Sequence, residues 1–304
     1  MTLPARNYWR EIAKNGWLYF LLIPGIVFFA VFRYVPIMGL RIAFMDYNQY
    51  DPAASKWVGF AQFIRLFSKN SFQPVLLNTI KISVLKLICG FPAPIILALM
   101  MNEMRNILFK KAAQTLLYLP YFISWVIMGG IIMNLLDPST GLITSIIEKL
   151  THQHINVLSD KNSFVPMLIV TDIYKGMGWG TIVYFAAMSG IDPQYYEAAV
   201  IDGAGKFRQV LAITVPCIMP TVVIMFIMSC GNILNAGFDQ IFMLYNAQVY
   251  EAADIIDTYV YRMGIQRNDY AFSTAAGMFK SVVAFILILA VNQLAKRTGN
   301  EGIF

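Results

Sequence analysis

Six apolar stretches, each of roughly the length that a bilayer-spanning helix requires, recur along the chain between more polar segments. They lie at about 17–35, 75–101, 113–136, 164–188, 213–233 and 273–295. A helix needs about 20 predominantly apolar residues to cross the hydrocarbon core of a membrane. The pattern therefore predicts an all-α membrane protein with six transmembrane helices, in which 1–16 form an N-terminal segment and 17–304 form one membrane domain.

Prolines interrupt these stretches or mark their ends. The examples are Pro92, Pro94, Pro120 and Pro216. A broken helix survives in a membrane where neighbouring helices or a water-filled cavity satisfy the freed backbone groups. This arrangement favours a transporter over a single-helix anchor.

Composition supports a lipid-embedded chain. Of the 304 residues, 58% are hydrophobic and 13% are charged, whereas soluble domains average about 45–50% and 25%. The net charge of +6 does not indicate a nucleic-acid partner, because the basic residues are scattered and form no basic run. The cysteines, Cys89, Cys217 and Cys230, lie in apolar stretches without CxxC spacing, so we expect neither a disulfide nor a metal site.

The distribution of lysine and arginine predicts the orientation in the membrane. With a cytoplasmic N-terminus, the inside segments are short and carry ten basic residues: 1–16, 102–112, 189–212 and the tail after 295. The outside segments are much longer and carry eight: about 36–74, 137–163 and 234–272. Because short loops rich in Lys and Arg stay inside, we expect both termini to be cytoplasmic.

A polar segment, 191–216, separates the fourth and fifth apolar stretches. Asp192 and Pro193 suit the N-cap and the first position of a helix. Gly203 then breaks that helix, and a second helix begins before Pro216. The segment predicts two short helices joined by a glycine turn at the membrane surface. Three aromatic residues are expected to anchor it against the bundle: Tyr195, Tyr196 and Phe207.

The same segment resembles the EAA loop of the permease subunits of binding-protein-dependent ABC importers. The family pattern is Glu-Ala-Ala, three residues, glycine, nine residues, then Ile-x-Leu-Pro. The matching residues here are Glu197, Ala198, Ala199, Gly203, Ile213 and Pro216, with Val215 in place of the leucine. Asp202 before Gly203 fits the form common in sugar permeases. The alternative interpretation is an ordinary amphipathic loop helix with a glycine break.

The resemblance implies a type I importer fold in the bacterial cytoplasmic (inner) membrane and a function in transport rather than catalysis. It implies that the coupling residues Glu197, Ala198, Ala199, Asp202 and Gly203 dock on a dimeric cytoplasmic ATPase, which carries the ATP and Mg²⁺. No cofactor is expected in this chain, because Val200 and Phe207 stand where a phosphate-binding loop around Gly205-Lys206 requires glycine and Ser or Thr. The further partners implied are a second, similar permease, an extracellular solute-binding protein and membrane lipid.

Two further stretches resemble sugar permeases and indicate a carbohydrate substrate. They are 238–242 and 270–277. Many sugar permeases continue the first stretch into a Thr-x-Gly-Gly-Pro-like turn, where this chain has 245–248, Tyr-Asn-Ala-Gln. The departure resembles a subgroup linked to oligosaccharides and polysaccharide fragments, including acidic ones.

Polar residues inside apolar stretches are candidates for the substrate path. We rank first the side chains that suit sugar hydroxyls: Asn232, Asn235, Asp239 and Gln240, with Lys175. The alternatives are structural: Lys86 could snorkel or pair, and Asp172 could pair with Lys175 at i,i+3. The glycines of 176–180 favour close helix packing, whereas Trp179 between them could stack on a sugar ring or belong to an interfacial belt.

Two other classes of function compete with this interpretation. An ion-coupled secondary transporter requires intramembrane acidic relays or inverted repeats, and Asp172 is the one plausible buried carboxylate in a mid-chain span. A membrane-bound enzyme requires a nucleophile elbow, a zinc motif or paired catalytic carboxylates, and the sequence contains none of these.

Overall fold

The structure, a computed structural model, describes residues 14–68, 70–153 and 155–297. Three of the basic residues counted above for the orientation, Arg6, Arg10 and Lys69, lie outside these residues. The helices, in chain order, are α1 (Gly16–Phe44), α2 (Ala61–Ser68), α3 (Phe72–Asn102), α4 (Ile107–Phe122), α5 (Trp125–Leu135), α6 (Leu142–Thr151), α7 (Lys161–Ser189), α8 (Pro193–Ile201), α9 (Lys206–Gly231), α10 (Phe238–Leu244), α11 (Tyr250–Ala253), α12 (Ile256–Tyr261) and α13 (Tyr270–Arg297). A short antiparallel pair, β1 (Met45–Asp46) and β2 (Lys56–Trp57), follows α1.

Six helical regions correspond to the six predicted spans. Among the described residues, α1, α3, α9 and α13 are long and apolar enough to cross a membrane, and the bent pair of α4 and α5 makes a fifth candidate. The fourth predicted span lies in α7, which is 29 residues long but less apolar, because Asp172, Lys175 and three glycines occupy its middle. The all-α membrane fold is confirmed.

The third predicted span, 113–136, is wrong as a single helix. The chain bends by 102° between α4 and α5. Pro120 lies in the last turn of α4, and the hydroxyl of Ser124 accepts a hydrogen bond from the Ile127 N–H to cap α5. A proline near a helix end followed by a good N-cap residue favours a new helix start over continuation.

Proline also explains the π-helical turns within two long helices. In α9 the turn covers Val210–Thr214, directly before Pro216, and the Val215 N–H donates to the Val210 carbonyl. In α1 the same arrangement precedes Pro36. A proline ring clashes with the carbonyl four residues earlier, and a wider turn relieves that clash while most backbone bonds are kept. Pro216 therefore does not interrupt the helix that begins at Lys206, and α9 continues past it.

The core of the bundle forms around α7, which contacts α3, α4 and α9. One cluster of buried apolar residues joins α7 to α3, α5 and α10, and a smaller one joins the ends of α3, α7 and α9 near 191. A third lies between α2, α3, α12 and α13. In contrast, no residue of the first half of α1, Gly16–Phe29, is buried, so this apolar helix faces outward, as a lipid-contacting surface does.

Glycines in α7 allow neighbouring helices to approach closely. A Cβ at Gly178 would lie 1.9 Å from the Leu117 carbonyl oxygen of α4, and one at Gly180 would lie 2.8 Å from Pro94 of α3. Small residues permit such contacts between membrane helices. The packing interpretation of the 176–180 glycines is therefore confirmed for these two positions.

Candidate functional site: an exposed loop and a polar cavity

The segment 191–216 folds as two helices joined at a glycine. Asp192 caps α8 by accepting a hydrogen bond from the Gln194 N–H at 2.9 Å, and Pro193 occupies the first turn. The chain then reverses through Gly203, whose φ is +75°, a conformation that glycine adopts readily. The Ala204 N–H donates to the Ala199 carbonyl at 2.8 Å and closes the turn. The predicted helix and glycine turn are confirmed, but the second helix is not short, because it continues past Pro216 to Gly231 as α9.

Side-chain contacts hold the two helices of this segment together. The hydroxyls of Tyr196 and Thr214 are 2.9 Å apart, and the Gln209 amide donates to the Ala204 carbonyl at 2.8 Å. One exposed ion pair reaches α3, where Lys206 lies 3.5 Å from the carboxylate of Glu103, directly after that helix. The segment is therefore joined to α3 at its surface and to α9 through the chain.

The outer surface of the loop carries exposed apolar side chains. Tyr195, Ile201 and Phe207 are 60%, 86% and 77% exposed. The expectation that all three aromatic residues anchor the loop is wrong for Tyr195 and Phe207, because only Tyr196 turns toward the bundle. An exposed apolar patch of this kind marks an interaction surface. The residues that the sequence predicts for coupling lie next to this patch along the chain: Glu197, Ala198, Ala199, Asp202 and Gly203.

A cavity of about 390 Å³ opens between α3, α7 and α9. Its polar lining includes Ser83, Asp172, Ser229, Asn232 and Asn235. Phe91 and Tyr184 add aromatic surface, and Gly176 and Gly180 contribute bare backbone. Hydroxyl, amide and carboxylate groups with aromatic faces form a lining that suits a polar, uncharged or weakly charged organic solute.

One buried cation organises the wall of this cavity. The Lys86 ammonium lies 3.2 Å from Asp172 and 2.5 Å from the side-chain oxygen of Gln240. The Gln240 amide donates to the Leu168 carbonyl and to the Thr171 hydroxyl, both at 2.8 Å. Of the two alternatives for Lys86, snorkelling and pairing, the structure shows pairing. Its partner is Asp172, which therefore does not form the expected pair with Lys175. The pair is close to neutral, so the cavity has little net charge.

Lys175 stabilises the break between α4 and α5. Its ammonium donates to the carbonyl oxygens of Pro120 at 3.3 Å and Tyr121 at 2.8 Å. The Pro120 carbonyl also accepts the Ile123 N–H at 3.3 Å, so Lys175 adds a second donor there and supplies a donor to Tyr121 at a helix end, where carbonyls lack intrahelical partners. Trp179 stacks on the Tyr121 ring, with centroids 4.6 Å apart and planes 3° apart. Lys175 and Trp179 thus have structural partners at the bend.

The structure brings together some of the predicted substrate-path residues and not others. Asn232 and Asn235 line the cavity. Gln240 is fully buried behind Lys86, Asp239 is exposed outside the lining, and Lys175 lies at the helix break. Ser83 and Ser229 were missed by sequence reasoning, because serine in an apolar stretch gives a weak signal unless its neighbours in space are known.

The end of the bundle opposite the loop is held by a separate polar network. The Asn78 amide donates to the Glu251 carbonyl at 2.8 Å, and the Ile256 N–H donates to the Thr79 hydroxyl at 2.9 Å. Asp254, 6% exposed, accepts bonds from the Arg262 guanidinium and the Thr258 hydroxyl. Burial, followed by the neighbouring Tyr250, raises the pKa of the nearby Tyr245 to about 12, although Arg262 acts in the opposite direction. The start of α3 is therefore fastened to the 250–262 region.

Known proteins resemble this chain over nearly its whole length. Residues 90–300 match the family described as the binding-protein-dependent transport system inner membrane component. The chain is 44% identical to protein LplB of Bacillus subtilis (strain 168), over 98% of this chain and 94% of that protein. It is 43% identical to the polygalacturonan/rhamnogalacturonan transport system permease protein YteP of the same organism, over 97% of this chain and 92% of that protein.

The fold of this chain also matches that of a solved ABC transporter. It is a bacterial ABC transporter involved in the import of the acidic polysaccharide alginate, and one of its chains superposes with a TM-score of 0.89 at 39% identity, covering 96% of this chain and 99% of that one. Because the family match spans more than half of the sequence and the relatives span nearly all of it, the chain belongs to the binding-protein-dependent transport system inner membrane components, as a permease subunit of an ABC importer.

Proposed function

We propose that this permease carries an oligosaccharide, a fragment of a larger polysaccharide, across the bacterial cytoplasmic membrane, with both of its termini on the cytoplasmic side. The observation that carries the proposal is the cavity between α3, α7 and α9. Its amides, Asn232 and Asn235, and the hydroxyl of Ser229 both donate and accept hydrogen bonds, which is what sugar hydroxyls require. Relatives named for polygalacturonan, rhamnogalacturonan and alginate support this class of cargo.

Energy for transport enters through the exposed loop in this proposal. A separate dimeric ATPase binds ATP and Mg²⁺. It docks on the apolar patch of α8, where Glu197, Ala198 and Ala199 lie at the contact. The loop is fastened to α3 by Lys206 and Glu103 and continues directly into α9. Both helices line the cavity. A displacement of α8 by the ATPase therefore changes the cavity wall without a flexible linker in between.

The remaining partners complete the pathway. A second, similar permease closes the open side of the cavity, and an extracellular solute-binding protein delivers the glycan at the end opposite the loop. The alginate transporter has been solved in complex with a periplasmic protein that holds an alginate pentasaccharide. That complex supports a binding-protein partner here.

Uptake by the complete importer in proteoliposomes tests the proposal. The experiment uses labelled alginate and galacturonate oligomers from dimer to pentamer, with the binding protein outside and ATP inside. We expect uptake that stops when ATP is omitted and continues when ionophores collapse the ion gradients. Uptake that survives without ATP and fails with ionophores would instead indicate an ion-coupled transporter, and transport of none of the oligomers would overturn the proposed cargo.

A further inference from the structure

The cavity is the inner end of a series of four clefts that share lining residues. Asn235 lines both the cavity and a second cleft of about 570 Å³. Tyr270 and Thr274 line both that cleft and a third one of about 670 Å³. The third shares its lining with a fourth of about 450 Å³ through Tyr47, Gln49, Tyr50 and Asn268. We call this continuous surface the track.

Each section of the track combines aromatic faces with amide or hydroxyl groups. The second cleft has Phe238 and Tyr261 beside Ser273. The third has Tyr47 and Tyr50 beside Gln49. The negative face of an aromatic ring attracts polarised C–H groups, which one side of a pyranose ring presents, while amides satisfy the hydroxyls around its edge. The same chemistry therefore repeats from the bundle interior to the loop after α1.

The charges in the cavity and the second cleft are paired, and the fourth cleft carries one charge of each sign, Asp46 and Lys56. In the second cleft, Lys280 contacts both carboxylate oxygens of Asp257 at 2.6 Å, and in the cavity Lys86 pairs with Asp172. A polar surface with compensated charges holds a glycan by hydrogen bonds and stacking and lets it slide, whereas a strong unpaired charge would trap it.

The length of the track suits a chain and exceeds one sugar. Tyr270 and Lys280, at the two ends of the second cleft, are ten residues apart on α13. A rise of 1.5 Å per residue places them about 15 Å apart along the helix, which is longer than a single pyranose ring. The cavity and the two outer clefts extend the surface further in both directions.

We propose that the track binds successive sugars of one oligosaccharide and that the outer tyrosines, Tyr47 and Tyr50, select for chain length. A long chain reaches them while its leading sugar occupies the cavity, whereas a disaccharide in the cavity does not. This inference rests on the oligosaccharide cargo proposed above. Tyr50 is 88% exposed, so its side chain is available to a ligand and its removal leaves the core packing intact.

Uptake as a function of chain length tests the track. The complete importer is reconstituted in proteoliposomes with Tyr50→Ala, Tyr50→Phe or the control Tyr174→Ala, which changes an exposed tyrosine of α7 outside the four clefts. Alginate and galacturonate oligomers from dimer to pentamer are the probes. Loss of one stacking contact, about 0.5–1.5 kcal/mol, corresponds to a roughly two- to thirteenfold slower uptake of the pentamer. We expect Tyr50→Ala to show this loss with dimer uptake unchanged, and Tyr50→Phe and Tyr174→Ala to match the wild type.

The possible outcomes separate the two proposals. If the wild type imports oligomers and Tyr50→Ala slows none of them, or slows all lengths equally, the track does not select chain length and the inference is overturned. An equal loss at all lengths would indicate that Tyr50 contacts the binding protein instead. If the wild type imports no oligomer, the proposed cargo itself fails.

Discussion

The ammonium of Lys86 in α3 lies 3.2 Å from the carboxylate of Asp172 in α7 and also contacts Gln240 in α10. One cation thus joins three helices at the cavity wall. The Lys86 side chain is 10% exposed and that of Asp172 is 38% exposed, so the carboxylate faces the cavity and the lysine lies behind it. Removing either charge alone would leave the other without its partner in a water-poor site.

We predict that Lys86→Met destabilises the protein by about 1–3 kcal/mol, because the side-chain oxygen of the buried Gln240 loses its donor, whereas Asp172, 38% exposed, still faces the cavity. The double variant Lys86→Met with Asp172→Asn should recover only the part of this loss that comes from the unpaired carboxylate. Thermal unfolding of the importer in detergent measures the effect. Lys81→Met, at an exposed lysine of the same helix, is the matched control, and equal melting of Lys86→Met and Lys81→Met would contradict the prediction.

A second prediction concerns the bend between α4 and α5. Lys175→Met removes the side-chain donor for the Tyr121 carbonyl and one of the two donors to the Pro120 carbonyl, which keeps the Ile123 N–H. It should cost about 0.5–1.5 kcal/mol, the net contribution of a typical hydrogen bond. Lys175→Arg keeps a donor at this position and should retain part of the stability. The readout is again thermal unfolding. Wild-type stability of Lys175→Met would show that the ammonium is not needed at the break.

The glycines of α7 provide a test with an internal control. Gly178→Ala places a Cβ against the Leu117 carbonyl, whereas a Cβ at Gly176 meets no atom within 4 Å. We expect Gly178→Ala to separate α7 from α4 and to lower stability by about 1–3 kcal/mol, as overpacking does, and Gly176→Ala to be neutral in stability. A similar melting temperature for the two variants would refute the close contact.

The sequence predicted the features that depend on local pattern. The lengths of the apolar stretches located all six helical regions. The helix cap and the glycine turn of 191–216 were predicted because the effects of Asp192, Pro193 and Gly203 on the backbone are local and depend only on neighbouring residues in the chain. The bend after Pro120 was missed since a proline near a helix end is compatible with a kink, a stop or a new helix. The lysine that stabilises the bend comes from α7, 54 residues later than Tyr121.

The assignment of polar residues to the cavity could be predicted only in part. Asn232 and Asn235 face it, whereas Gln240, equally polar in sequence, is used by Lys86, Leu168 and Thr171. Whether a polar side chain faces a cavity or another buried group depends on contacts between residues far apart in the chain. Asp172 illustrates this, because its partner is Lys86 on another helix and not Lys175 one turn away.

The central claim is that a separate ATPase drives this permease through the loop around Gly203. Gly203 has a φ of +75°, and a Cβ there would meet no atom of this chain within 4 Å. Gly203→Asp would project a charge where the ATPase is proposed to bind, but a side chain at this positive φ also strains the turn. Gly203→Asn carries the same strain without the charge and is the matched control, expected to keep uptake and ATPase. Gly205→Ala, at φ −67° and with equally free surroundings, is a second control without strain. Glu197→Lys probes the same contact through its charge.

The most direct measurement is ATP-dependent oligosaccharide uptake by the reconstituted importer, together with the amount of ATPase that co-purifies with each variant. We predict that Gly203→Asp and Glu197→Lys insert at wild-type levels but lose uptake and retain little ATPase, while Gly205→Ala keeps both. Normal uptake and full co-purification of the ATPase with Gly203→Asp would contradict the account.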